Sequence, residues 1–521
     1  MSGKLDVMAF SSDWGHLKPF TRELTTAVMP TGSVMGALVS WTLVEMAQPR
    51  LVTAYATLAW VLGSLIQLVA PSIEVVRSGR LICGIGAGIV SAVVPPYLAE
   101  IAGRSSRGMF ASILSMGIAM GFLWQIVGQL ALVAISGGIG SASDSGEDMR
   151  ADLINLLRCS FAVQLIPGFA LMFLCDFLPP SPRRLATEGR WPEVKSLLAD
   201  LHASGDRENG RVLAHVQELE ADVLDQPQVP HPSRELLTWR VRARLVLGIL
   251  VAAWSQLCGV PLVLNYIMLA MAGSRVGSLD FVVVVQYLVY ILSTLPAIFV
   301  LDSWGRRLTM KLGCLWMIIT LCGTGYFQNK RIDKEAKDGI SLDETHVPWA
   351  LEGYHGTSLG VIIFCYLFIV AYAMFWSPIA WLYPAEIFPG WLRTRGFGIC
   401  MAAYWISNAG LAWGLPSLVR AAGGWTILIF VCLNWVAWIF VCCAVHETKG
   451  YTLEEMHHVF LSGRRAWQSA WGERIFDLLV ARIERQQNLH GTDGAVEEPG
   501  EEIELSEWTP PTASVANASP T

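Results

Sequence analysis

The sequence predicts an all-α polytopic membrane protein built from two pseudo-symmetric helix bundles. Three observations predict it. Hydrophobic residues make up 53% of the 521 and charged ones only 15%, with a mean hydropathy of +0.46, far more apolar than a soluble chain of this size. Uncharged runs long enough to cross a bilayer, about 17 to 25 residues each, recur along the chain. The charge patterns that end those runs occur once in each half at matching spacing, the mark of an internally duplicated membrane fold.

The chain opens on a polar segment, residues 1–23, where Lys4, Asp6, Asp13, Lys18, Arg22 and Glu23 interrupt any apolar run, so no cleavable leader is expected. Eleven spans follow, at 24–44, 51–70, 81–99, 109–136, 159–175, 245–273, 281–301, 312–329, 359–385, 396–419 and 421–445. Five precede and six follow a polar segment. The division is therefore an N-terminal bundle over 24–178, a helical linker over 179–244 and a C-terminal bundle over 245–445. The linker holds ten Lys or Arg residues, and Arg50, Arg104, Arg107, Arg306, Arg307, Lys311, Arg393 and Arg395 fall on its side, which the positive-inside rule reads as cytoplasmic. Within it, 191–201 and 212–224 carry apolar residues at helical spacing. Residues 330–358 read as an external loop. Residues 446–521 read as a cytoplasmic tail, largely disordered beyond about 462.

Composition also excludes. The net charge of −6 sits in loops and in acidic residues near the C-terminus such as Glu497, Glu498, Glu501 and Glu502, and gives no support to nucleic-acid binding. The 11 cysteines are scattered, mostly inside apolar runs, with no CxxC pair and no histidine pattern, so they read as packing residues and no metal or cofactor is expected. No Ser/His/Asp set, HExxH or paired carboxylates converge on one face, so an enzyme is not expected.

Residues 375–396 are the least ordinary stretch. They begin in an uncharged run, carry Pro378 and Pro384 with Trp376 and Trp381 at membrane depth, and end with Glu386 seven residues before Arg393. Each of those prolines is expected to remove a helix hydrogen bond, which a membrane tolerates only where the freed backbone is buried in protein or lines a cavity. The stretch reads as a pocket wall running into an ion pair.

The repeats fix the architecture. Glu45 to Arg50 recurs as Asp302 to Arg307, and Glu100 to Arg107 recurs as Glu386 to Arg393. A third pair follows the last span of each half, at residues 178–184 and 446–450. Paired halves of this kind imply a repeat-built transporter with its site at the repeat interface.

Gly79-Arg-Leu-Ile-Cys-Gly-Ile-Gly-Ala-Gly88, Pro96-Tyr-Leu-Ala-Glu100 with Arg107-Gly108, Asp302-Ser-Trp-Gly-Arg-Arg307, residues 376–396 and Glu447-Thr-Lys-Gly-Tyr-Thr-Leu-Glu-Glu-Met456 together resemble the sugar porter family of the major facilitator superfamily, in its fungal form. The resemblance covers residues 24–460. It implies a major facilitator fold, alternating access, and carriage of a hexose, pentose, disaccharide or polyol by uniport or proton symport. It further implies a monomer in the plasma membrane whose partners are the sugar and the bilayer, joined by protons where transport is by symport. Matched by motif, the first span here corresponds to the family's second helix, so the family's first helix is missing. Either the sequence is truncated or the protein has eleven spans.

The resemblance assigns the inner gate to Glu100, Arg107, Glu386 and Arg393, pairing across the bundles, with Asp302, Arg306, Arg307, Glu45, Arg50 and Glu447 in the same network. That network is eroded: Glu45-Met-Ala-Gln-Pro-Arg50 lacks the glycine and two arginines of the family's turn, and Ser303 stands for an arginine. Charges only half out of water can favour one state by an amount that substrate binding can offset.

Sugar recognition needs buried polar groups that match hydroxyls, plus an aromatic face for the C–H side of the ring. By resemblance, Gln256 matches one of the family's two sugar-binding glutamines and Ser255 replaces the other. Pro261 stands at an asparagine position, with Asn265 one turn on as a substitute. Tyr290 replaces another asparagine and Ser115 a glutamine. Trp381 and Pro378 match the family, Ser377 stands for a glycine, Tyr404-Trp405 stands for Asn-Trp, and Asn408 is kept. The expected substrate-binding set is therefore Gln256, Asn265, Tyr290, Trp381, Tyr404 and Asn408. The alternative, a non-transporting sugar sensor or degenerate paralogue, is motivated by the lost helix and lost amides.

Overall fold

A computed structural model of the chain describes residues 19–135, 158–224, 238–264, 279–337, 355–461, 466, 468 and 474–492. Among these residues the regular structure is helical. The N-terminal bundle holds α1 (Pro19–Met46), α2 (Pro49–Leu68), α3 (Ile73–Ile101), α4 (Arg107–Ile135) and α5 (Arg158–Phe177). The linker supplies α6 (Pro182–Thr187), α7 (Trp191–His202) and α8 (Gly210–Leu224). The C-terminal bundle holds α9 (Trp239–Leu257), α10 (Leu279–Trp304), α11 (Arg306–Lys337), α12 (His355–Ala371), α13 (Ser377–Glu386), α14 (Arg393–Ala422) and α15 (Trp425–Ala444). Two further helices follow, α16 (Glu455–Leu461) and α17 (Ile475–Thr492).

Among the described residues, ten helices are long and apolar enough to cross a membrane. The eleventh expected span lies in α14, a helix of 30 residues that also carries Arg393, Arg395, Ser407 and Asn408. Helix α1 starts at Pro19, inside the segment read as polar and non-spanning. The glycine run of α3 serves close packing against α1: a Cβ on Gly88 would lie 2.1 Å from the Ser33 carbonyl oxygen, and one on Gly36 would lie 2.1 Å from that of Ile85. Only glycine lets two membrane helices approach so far. Between the bundles, α1 runs against α14 and α4 against α10, while α13 lies against α3 and α4.

Two backbone breaks position the site. Helix α9 ends at Cys258 and Gly259, the latter at φ +106°, before the chain turns helical again over 260–264; the rest of the expected span, 265–273, lies outside the described residues. The stretch 375–396 differs from expectation in its detail. Helix α12 gives way to one π turn, Tyr372–Trp376, and α13 begins anew at Ser377. Pro378 therefore sits in the first turn of α13, where no hydrogen bond is lost, and only Pro384 lies inside a helix. All ten residues of α13 are buried.

The linker contains the two expected helices and a third, α6, which Ser181 caps by accepting from the Arg184 backbone N–H at 3.2 Å. Leu185, Val194, Leu198, Val212 and Leu219 form their shared core. The tail departs from expectation. Thr452 and Glu455 form a capping box at α16, with Thr452 N–H to Glu455 Oε2 at 2.8 Å and Glu455 N–H to Thr452 Oγ1 at 3.2 Å. Beyond residue 462, where disorder was expected, α17 packs Phe476, Leu479, Val480 and Ile483 against Leu213 and Ala214 of α8. Those four residues make one apolar stripe at helical spacing, hidden in the sequence by the charges between them.

Candidate functional site

At the linker end, acids of each bundle grip helix starts of the other. Asp302, in the last turn of α10, accepts the backbone N–H groups of Gly108 and Met109 at 2.9 Å each, so it caps α4 from the opposite bundle. Glycine is required there, because a Cβ on Gly108 would lie 2.6 Å from Asp302 Oδ1. The counterpart acid, Glu45, reaches Arg395 Nη2 at 2.6 Å instead. Glu100 faces Arg393 Nη1 across the bundles at 3.5 Å and accepts from the Ser181 hydroxyl at 2.6 Å.

Within the C-terminal bundle, Glu386 accepts from Arg306 Nη2 at 2.9 Å, Arg306 Nε at 3.2 Å and the Thr448 hydroxyl at 2.6 Å. Glu447 accepts the backbone N–H groups of Arg306 at 2.9 Å and of Arg307, Thr448 and Lys449 at 3.0 Å each, and so caps α11. Three residues differ from the expected pairing. Of the two cross-bundle pairs in the Glu/Arg quartet, Glu100 with Arg393 forms, while Arg107 donates to the Tyr451 carbonyl at 2.9 Å because Glu386 is occupied by Arg306. Arg50 donates to the Leu178 carbonyl at 3.4 Å, and the Arg307 side chain to that of Cys442 at 2.6 Å.

Two linker-side residues outside the expected set, Arg183 and Glu454, join this charge network. The Arg183 guanidinium pairs with Asp222 and lies 3.5 Å from Glu454. It rests on Gly390, where a Cβ would come within 1.7 Å of Arg183 Cζ. Burial alone would raise the Glu454 carboxyl, but Arg393, His215, Arg183 and Arg107 around it outweigh burial and hold it below the usual carboxylate range. The signal for Glu454 was present in the motif ending at Met456.

Further along the bundle interface, the expected pocket residues come together. Asn408 Nδ2 donates to Gln256 Oε1 at 2.8 Å. The Trp381 and Tyr404 rings lie 5.1 Å apart and Tyr404 and Trp405 5.2 Å apart. Trp405 Nε1 donates to Ser91 Oγ of α3 at 2.9 Å. Tyr290 Oη donates to Ser377 Oγ at 2.6 Å, and Ser377 Oγ to Ser115 Oγ of α4 at 3.2 Å. Asn265 lies outside the described residues. A narrow cleft lined by Arg107, Ala111, Leu114 and Trp381 lies between the charge network and this cluster. Ser91, Ser115 and Ser377 were not in the expected set, although two of them stood at positions matched to the family's site.

This arrangement is an uncharged, aromatic and hydrogen-bonding cluster between two bundles, closed at one end by charge. Such a cluster can hold a neutral polyhydroxylated ring.

Comparison with known proteins agrees. Residues 12–460 match the family profile "Sugar (and other) transporter". The chain is 33% identical over 444 residues to the MFS glucose transporter mfs1 of Aspergillus flavus, covering 85% of this chain and 82% of that one. It is 26% identical over 468 residues to the arabinose-proton symporter of Escherichia coli, covering 88% and 89%. Among solved structures, the proton:xylose symporter XylE bound to 6-bromo-6-deoxy-D-glucose is similar with a TM-score of 0.70 and 21% identity, over 88% of this chain and 94% of that one. These relatives are transporters, not enzymes. The chain belongs to the sugar porter family of the major facilitator superfamily.

Proposed function

We propose that this protein carries a monosaccharide or polyol across the plasma membrane by alternating access. Gln256, Asn408, Trp381, Tyr404 and Tyr290 hold the substrate, and the charges around Asp302, Glu100, Arg393, Glu386 and Arg306 form the inner gate. The linker and the segment after α15 lie on the cytoplasmic side. The observation that carries this reading is Asp302 capping α4 from the opposite bundle, beside a cleft that reaches Trp381. A contact of that kind holds one end shut and cannot persist when the bundles rock apart.

The described state is closed at the linker end, so it is the state that awaits substrate from the other side. Binding there must stabilise the rocked form by as much as the lost gate contacts destabilise it. The relatives' named substrates, glucose and arabinose, support the sugar class. Uptake of radiolabelled hexoses, pentoses and polyols in transport-null yeast expressing the chain tests the reading. Saturable uptake of at least one is expected, and none with normal surface expression refutes it in favour of a non-transporting sensor. Repeating the uptake with a protonophore separates uniport from proton symport.

A further inference from the structure

We propose that α17 is a strap across the seam between the two bundles, and that its fastening through Phe476 helps hold the linker end of the carrier shut. This role rests on the alternating-access reading above. The match to the family profile ends at residue 460, so α17, Ile475–Thr492, lies beyond the matched residues. Phe476 touches both sides of the seam. Its backbone N–H donates to Glu455 Oε1 at 2.7 Å, while its ring lies 5.0 Å from the Arg104 guanidinium and edge-on to His215 at 6.3 Å.

These partners belong to different bodies. Glu455 stands in the segment after α15, which is tied to the C-terminal bundle by Glu447 capping α11 and by the Thr448 hydroxyl donating to Glu386. Arg104 stands between α3 and α4 of the N-terminal bundle and also pairs with Asp477 of α17. His215 is in α8 of the linker, and the linker is fixed to the N-terminal bundle by Ser181 on Glu100 at 2.6 Å and by Arg184 Nη1 on the Glu45 carbonyl at 3.0 Å. A second contact reaches the C-terminal side. The Arg474 guanidinium rests on Gly450, where a Cβ would lie 3.0 Å from Arg474 Nη2.

The attachments differ in strength, which decides where the strap lets go. Towards the linker, α17 buries Phe476, Leu479, Val480 and Ile483 against Leu213 and Ala214, and Gln487 Nε2 donates to the Glu208 carbonyl at 2.6 Å. An apolar stripe of four side chains is the stronger hold. Towards the C-terminal bundle, α17 has one charge-assisted hydrogen bond, Phe476 to Glu455, and the Arg474 contact. Helix α17 therefore rides with the N-terminal bundle, and rocking apart at the linker end unfastens Phe476 from Glu455. The acid is held ready for this bond, because its other oxygen, Oε2, accepts the Thr452 N–H at 2.8 Å. A bond made in the closed state and lost in the open one weights the equilibrium towards closure by its own strength.

The test reads linker-end opening as the alkylation rate of Ala111→Cys, in the cleft beside Arg107, using the purified full-length chain with its other cysteines replaced. Deleting residues 475–492 is expected to raise that rate at least fivefold, and Phe476→Ala, which weakens the docking of α17 without shortening the chain, at least threefold. A control separates strapping from general loosening. Val61→Ala, buried between α2 and α5 away from the seam, is expected to lower Tm and to leave the alkylation rate within twofold. Unchanged alkylation in both the deletion variant and Phe476→Ala overturns the strap, and so does an equal acceleration by Val61→Ala. Asp302→Ala keeps the strap distinguishable from the carrier reading. If Asp302→Ala speeds alkylation and the α17 variants do not, the gate stands and the strap falls; if none of them does, the rocking that both require is refuted.

Discussion

Replacing Asp302 by Ala should open the gate from the linker side. Its carboxylate accepts two backbone N–H bonds at 2.9 Å from α4 and one Arg306 Nη1 bond at 3.2 Å. Removing an N-cap costs about 1–2 kcal/mol, and hydrogen bonds to a charged group contribute about 1.5–3 kcal/mol. Arg306 keeps Glu386 in the variant, so the net loss falls on the α4 contacts, about 2 kcal/mol of closed-state preference. At about 1.4 kcal/mol per factor of ten, the open fraction rises roughly 30-fold. Ala111 reports the change. It lines the cleft between Arg107 and Trp381 and is 6% exposed. In a cysteine-replaced background, alkylation of Ala111→Cys from the linker side should speed up by roughly tenfold or more. Gly108→Ala should reproduce the effect without touching the carboxylate, because its methyl would sit 2.6 Å from Asp302 Oδ1. Unchanged alkylation rates in both variants, at normal expression, would refute the cross-bundle cap as the closing contact.

Four other outcomes follow from the same geometry. Glu447→Ala removes the acceptor of four backbone N–H groups and should lower stability by about 2–4 kcal/mol, read as a drop in Tm in detergent. Arg395→Ala breaks a pair whose acid is 48% exposed and should change Ala111→Cys alkylation by less than threefold, since exposed pairs contribute about 0–1 kcal/mol. Burial, with Glu454 and Glu455 adding to it and Thr452 and Arg107 opposing it, pushes the Glu218 carboxyl up to about 9; a raised carboxyl stabilises below its ordinary range and loses that contribution as pH climbs toward 9. Tm should therefore fall as pH rises from 5 to 9, and fall less in Glu218→Gln. Phe476→Ala removes the ring held between Arg104 and His215, a loss of about 3 kcal/mol, and should expose Arg482 and Arg485 in α17 to rapid trypsin cleavage.

The sequence made the bundles legible because span length and duplicated charge are one-dimensional signals. It placed Gln256, Trp381, Tyr404 and Asn408 in one cluster for the same reason, each being a matched position on a recognisable span. Partners were less legible. Asp302 and Gly108 are 194 residues apart, and which acid meets which base depends on how two helix ends face each other. Glu386 was expected to serve the opposite bundle, yet Arg306 claims it. Backbone N–H groups were the other hidden competitors: Asp302 and Glu447 both spend their charge on helix starts, which no charge pattern reveals. The hydroxyl chain was hidden differently. Ser115, Ser377 and Tyr290 each looked like a loss when compared with the family pattern, and only their contact makes them a set. The helix α17 was missed because a charged amphipathic segment and a disordered one have similar composition.

The two halves of the charge network have diverged in what holds each turn. In the second half, Gly305 at φ +90° makes the turn tight enough for Glu447 to reach the start of α11, and a Cβ there would lie 2.7 Å from Glu447 Oε2. Asp302 is then fixed, at 17% exposure, where it meets α4. The first half has lost the equivalent glycine. Its turn is held from the linker: Arg184 Nη1 donates to the Glu45 carbonyl at 3.0 Å, and Arg50 to that of Leu178 at 3.4 Å. Glu45 itself pairs with Arg395, whose side chain is 15% exposed. At the linker end, the seam between α4 and α10 therefore carries charge-assisted bonds to backbone, and the seam between α1 and α14 carries an ion pair whose acid is 48% exposed. Exposed pairs contribute about 0–1 kcal/mol, so in the proposed cycle the ion pair at α1 and α14 gives way at lower cost than the Asp302 cap on α4.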